Sequence, residues 1–210
     1  MAINSKVDEC NLALSSLGNY GTVSNIDTPT NDKERAFALW YDICRQFTLK
    51  LLMPNFSLER VIVGQLEEVP AFGYAYFYEY PNYALKVLGV GEVQDKENNY
   101  TIESTPLGVQ AIAHDYDYTE GMPIRIIKDV TDINRFSPEA KLLLAQYLAA
   151  YTCIAITQDA VKANKLKSEL PAEISSASGM NAQENMPIRI SRSRFKASKF
   201  SFNPQNTDKR

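Results

Sequence analysis

The single histidine, His114, stands in the stretch AIAHDYDYTEG beside Asp115 and Asp117. An imidazole next to two carboxylates could ligate a metal or exchange protons, but a metal centre needs three or four convergent ligands. There is no second histidine, and Cys10, Cys44 and Cys153 are far apart and match no metal or disulfide spacing. His114 therefore reads as a strand end running into a polar turn. Each cysteine reads as a small buried hydrophobe on a helical stripe. No metal, cofactor or catalytic set is expected.

Asp129 and Asp132 in KDVTDINRF could be drawn as the paired carboxylates of a hydrolase. Their place just before a helix start assigns them instead to turn formation and capping, because acid–base work needs a cleft around the pair. Gly89 and Gly91 in VLGVGEV lack the third glycine and following helix of a dinucleotide loop. Ser16 and Ser57 have no nucleophile-elbow context.

The run FGYAYFYEYPNY is different. In an extended strand Tyr74, Tyr76, Tyr78 and Tyr80 fall on one face, with Ala75, Phe77 and Glu79 on the other. Two readings stand: a core on one side with a solvated tyrosine face, or a subunit interface, where tyrosine is enriched. Basic residues are too sparse nearby to favour base stacking.

These groups must be positioned by elements that the hydrophobic period reveals. Ser5 with Asp8 three residues on predicts a helix start, followed by Val7, Cys10, Leu14 and Leu17 at helical spacing up to Gly18. Asn31 caps a second helix, with Phe37, Trp40, Cys44, Phe47 and Leu51 as its apolar stripe and Pro54 as its stop. From Asn55 to about Asp132 the pattern turns to short β-branched and aromatic runs, predicting five or six antiparallel strands. Ser137-Pro138-Glu139 opens a helix that is apolar almost all round. A fourth helix follows from about Asp159, with Pro171 ending or kinking it and SSASG as weaker punctuation.

Segregated helices and strands predict an α+β fold. The expected division is a helical bundle from residues 1–54 and 133–182, an inserted antiparallel β region over 55–132, and an extended basic tail over 183–210. The longest apolar run, Leu142 to Ile156, is about 15 residues against the roughly 20 that span a bilayer, so no membrane contact is expected. The N-terminus lacks the pattern of a signal peptide, which predicts residence in a cytoplasm.

The net charge of −3 hides an asymmetry. Residues 186–210 hold seven basic residues and one acid, net +6, and the rest of the chain holds fifteen basic and twenty-four acidic residues, net −9. The tail sets Ile188, Ile190, Phe195, Phe200 and Phe202 among Arg189, Arg192, Arg194, Lys196 and Lys199. Three fates are compatible with that composition: docking on another protein, contact with nucleic acid, or solvation without a partner. Its opening word, MPIRI at Met186–Ile190, repeats Met122–Ile126, which suggests the same extended conformation in a different setting.

The stretch IRIIKDVTDINRFSPEAKLLLAQYLAAYTCIAIT resembles the most recognisable part of the tail tubular protein A family, the head-to-tail adaptors of short-tailed bacteriophages. In that family a strand ends in an aspartate, here Asp132, followed by an aromatic-Ser/Thr-Pro helix start, here Phe136-Ser137-Pro138. The opening VDECNLALSSLG with Ile26-Asp27, the helix ERAFALWYDICRQFTLKLLMPNFS and the pair FGYAYFYEYPNYALKVLGV are similar in order and spacing. The likeness covers roughly residues 3 to 170.

The resemblance implies a structural virion protein, assembled in the host cytoplasm, that forms a homo-oligomeric, dodecameric ring beneath the portal protein. Such a ring extends the channel for packaged DNA and docks the next tail protein. Within that frame Ile188, Arg189, Ile190, Arg192, Arg194, Phe195, Lys196, Lys199 and Phe200 are the expected portal-binding residues. Tyr74, Tyr76, Tyr78 and Tyr80 are the expected subunit interface. The alternative is a nucleic-acid-binding accessory protein acting through the basic tail.

Overall fold

Ser5 opens the first helix with a reciprocal cap. Its hydroxyl accepts from the Asp8 amide at 3.1 Å, and the Asp8 carboxylate accepts from the Ser5 amide at 3.0 Å. The computed structural model describes residues 3–18, 21–91 and 99–183, with side chains to residue 180. Helix α1 (Lys6–Ser16) buries Cys10, Ala13 and Leu14 and stops where Gly18 takes a left-handed φ of +66°.

Helix α2 (Asp32–Leu52) starts at Asn31, whose side chain accepts from the Glu34 amide at 2.9 Å. Glu34 turns its carboxylate back onto the preceding loop, accepting from the Thr30 amide at 2.7 Å, the Thr30 hydroxyl at 2.8 Å and the Ser24 amide at 3.1 Å. The Thr30 amide leads the donors that lower its pKa to about 2. Met53, left-handed at φ +46°, ends the helix before Pro54. The buried stripe is Phe37, Tyr41, Cys44, Thr48 and Leu52; Phe47, expected within it, stays exposed.

Helix α3 (Pro138–Thr157) begins where the Ser137 hydroxyl accepts from the Ala140 amide at 3.4 Å, with Pro138 in the first turn. By length and composition it is the one helix among the described residues apolar enough to cross a membrane. Its composition has a local cause, since α1, α2 and the last helix all pack on it. Leu144 and Leu148 are fully buried, and cutting either to alanine would cost about 2–5 kcal/mol.

Helix α4 (Ala160–Gln183) continues as helix past Pro171 and Gly179, so neither ends it. Pro171 forfeits a hydrogen bond to the carbonyl four residues back, at a cost of about 3 kcal/mol. Leu166, Leu170, Ile174 and Ala177 meet the helical core on both sides of the proline, and that shared burial carries the helix past it.

The middle of the chain forms β1 (Leu58–Val63), β2 (Tyr76–Glu79), β3 (Ala84–Val90), β4 (Tyr100–Ser104), β5 (Gln110–His114) and β6 (Met122–Lys128). They make two antiparallel sheets, ordered β1-β6-β3 and β2-β5-β4. The fold is α+β, as the segregation of helical and strand periods predicts. Ile127, Leu85 and Leu88 of the first sheet join the helical core. Met122, Ile124 and Ile126 of β6, the first MPIRI, share a second core with Tyr78 and Ile112 of the other sheet. The first sheet thus lies between the helices and the second sheet. The second MPIRI lies outside the described residues.

Candidate interaction surfaces

The tyrosine run does not keep the common face that strict alternation predicts. Only Tyr76–Glu79 form a strand, and the chain bends at Ala75 after Gly73, left-handed at φ +88°. The bend breaks the two-residue period. Tyr74 consequently packs with Phe77, Ala111 and Ala113 on the outer side of the second sheet. Tyr76, Tyr78 and Tyr80 belong to the core between the sheets.

Tyr78 is sealed inside. Its hydroxyl donates to the Tyr116 carbonyl at 2.9 Å and accepts from the Tyr118 amide at 3.0 Å. Tyr80 donates to the Ala84 carbonyl at 3.1 Å, and Tyr74 bonds the Thr101 hydroxyl at 2.9 Å. Tyr78 and Tyr80 hold their pKa values above the usual phenol value because burial opposes the phenolate. The expected interface at Tyr74, Tyr76, Tyr78 and Tyr80 is therefore corrected at Tyr78, which has no surface to offer, and as a shared face. The expected portal-binding residues, Ile188 to Phe200, lie outside the described residues.

His114 closes β5 with its Nδ1 accepting from the Tyr116 amide at 2.9 Å, the strand-end role that its context predicts. Asp132 caps a short 3-10 turn over Ile133–Arg135 by accepting from the Asn134 amide at 3.0 Å. Asp129 departs from the expected capping role: it receives the guanidinium of Arg45 and the Gln46 amide group at 3.0 Å. All three cysteines are free and buried. Burial pushes the Cys10 thiol far up and Cys44 to about 12, which keeps both from reacting as thiolates. Among the described residues no group of three His, Cys, Asp or Glu could hold a metal ion.

Among the buried polar groups of the helices, the Glu9 carboxylate in α1 and the Tyr41 hydroxyl in α2 find no good hydrogen-bond partner. Burial pushes the Glu9 carboxyl up to about 8 against the attraction of Lys141.

An apolar band is exposed on α2. Leu39, Ile43 and Phe47, one helical turn apart, are 66%, 55% and 44% exposed. The band continues onto α3, where Phe47 meets Tyr147 edge-on at 5.3 Å and Trp40 stacks on Tyr151 at 5.0 Å. Ile154 of α3 is half exposed as well. The signal was present in the sequence as a second apolar series at intervals of four, offset from the buried one.

A cleft of about 510 Å³ opens where the end of α2 meets both sheets, lined by Lys50, Tyr80, Leu85, Lys86, Ile102 and Val109 among others. Compared with known proteins, the chain matches no family model and no curated protein.

Proposed function

We propose that this protein is a structural head-to-tail adaptor of a short-tailed phage, assembling with copies of itself into a ring under the portal and docking the next tail protein. The exposed band of Leu39, Ile43 and Phe47 carries the reading. Three large apolar side chains in register on one helix, continued by aromatic side chains of α3, favour coverage by another protein surface over solvent.

A closed ring needs head-to-tail contacts between two different surfaces of one chain. The helical band supplies one, and the sheets project other surfaces from the middle of the same chain. The net negative charge outside residues 186–210 suits a channel through which DNA must slide, since a basic lining would hold phosphates by releasing counterions. The sequence resemblance supplies the phage setting and the dodecameric ring.

Negative-stain imaging and native mass spectrometry of the full chain, with and without its portal complex, test the reading. The expected result is rings on the portal. Failure to form any ring in either condition overturns it. Deleting residues 186–210 should leave the circular-dichroism spectrum and melting temperature unchanged while abolishing portal attachment. If that deletion instead removes salt-sensitive DNA binding and spares portal attachment, the tail serves nucleic acid.

A further inference from the structure

We infer that the loop between β1 and β2 seats Phe72 in the α2–sheet cleft of a neighbouring copy. The inference rests on the ring reading and adds to the α2 band a second, separate contact between neighbouring copies. Phe72 is 89% exposed, and Val69 beside it is mostly exposed as well. A phenylalanine carries about 150–250 Å² of apolar surface, so leaving it in water at a loop tip forgoes a large stabilisation.

The loop is held at its base. The Leu66 amide donates to the Phe77 carbonyl at 2.8 Å, the Glu79 amide donates to the Gly64 carbonyl at 3.0 Å, and Leu66 packs against Phe77. Gly73, left-handed at φ +88°, turns the chain just after Phe72. A tip on such a fixed base loses little conformational freedom on binding.

The cleft complements the loop in charge and offers its tip an apolar wall. Its about 510 Å³ lies within the range of sites that enclose a side chain or small ligand, and Leu85, Ile102, Val109 and the Tyr80 ring offer an aromatic group apolar contact. Lys50 and Lys86 also line it, and among the described residues neither forms an ion pair. The loop brings the exposed Glu67 and the half-buried Glu68, and among the described residues neither forms an ion pair. An acidic loop with an apolar tip faces a lysine-bearing cleft with an apolar wall. The loop contributes none of the residues lining the cleft of its own chain, which leaves that cleft open to the loop of another copy. Knob and hole on different parts of one chain are the head-to-tail geometry that closes rings.

Chains carrying Ala71→Cys are mixed with chains carrying Gln110→Cys and treated with a short bis-maleimide; the native cysteines are buried and stay silent. A 71–110 cross-linked dimer is expected from the mixture, well above the yield when Ser168→Cys on α4 replaces the cleft cysteine. Adding Phe72→Ser should lower that yield at least about tenfold. Lys50→Glu with Lys86→Glu should lower it, and Glu67→Lys with Glu68→Lys in the partner should restore it. A yield equal to the α4 control, or indifferent to Phe72→Ser, overturns the contact. Rings without the 71–110 link sink the contact and spare the ring; the link without rings sustains the contact and sinks the ring; neither product sinks both.

Discussion

Arg45 of α2 forks onto Asp129, the residue that follows β6, and so ties the exit of the β region to the helical core. The side chain of Arg45 is only 3% exposed, and it also donates to the Val130 carbonyl at 2.9 Å and to Asp42 at 3.2 Å. Burial opposes its charge, and the hydrogen bonds and charges of Asp129 and Asp42 outweigh that cost, leaving its pKa above the ordinary value. Removing one partner of such a pair strands the other. Asp129→Ala leaves a buried guanidinium short of its main acceptor and should cost about 3 kcal/mol. Arg45→Met leaves a carboxylate that can still reach water and should cost less. Urea titrations of the two variants check the asymmetry, and equal losses would refute it.

Glu9 sets a pH dependence of opposite sign to the usual carboxylate. Its pKa rises from 4.5 when exposed to about 8 in the fold, so the folded chain holds a proton that the unfolded chain has released. The stability tied to that proton is fully present below about pH 4.5 and is lost as pH rises to about 8, a few kcal/mol in all. Glu9→Gln keeps the shape without the charge. The variant should melt higher than the parent at pH 8 and close to it at pH 4.5; a constant difference between the two pH values would show that Glu9 does not titrate in this window.

The elements were legible in the sequence because their determinants are local. Ser5, Asn31 and Ser137 each cap an amide three residues away, and the strand words alternate within five or six residues. What escaped was set by distant neighbours. Asp129 reads as a turn former until Arg45, 84 residues earlier, is brought to it. Tyr74 reads as a companion of Tyr76 until the bend at Ala75 parts them. On α2 both apolar series fit a helical period, and only the packing of the neighbouring helices decides that Tyr41, beside Lys6 and Cys10 of α1, is covered while Ile43 is not. Side-chain chemistry alone cannot tell an interior face from an interface, because both are apolar.

Gly121 should tolerate no side chain. It sits at φ +96° just before β6, and a Cβ there would lie 2.6 Å from Ile62 Cγ2 and 3.2 Å from the Val63 carbonyl oxygen. Backbone strain and overlap with β1 act together, so Gly121→Ala should destabilise by about 2–4 kcal/mol. The double variant Gly121→Ala with Ile62→Ala relieves the side-chain overlap but not the φ, and should recover part of the loss. Thermal melts of the three chains check this; a single variant as stable as the parent would mean that the turn rearranges freely.

Ile43 separates the two demands on α2. Its side chain is 55% exposed and lies in the middle of the apolar band, whereas Tyr41 and Cys44 on the same helix are buried. Ile43→Glu removes apolar surface from solvent contact and adds a charge where water already reaches, so folding stability should change by no more than about 0.5 kcal/mol. Tyr41→Ala, one face away, should cost about 3–5 kcal/mol. In an assembled ring the outcome for Ile43→Glu changes sign, because a carboxylate would then be buried against a neighbouring copy without a partner. Native mass spectrometry should find the variant monomeric where the parent assembles, at an unchanged melting temperature; rings that form equally well would place the α2 band outside the subunit contact.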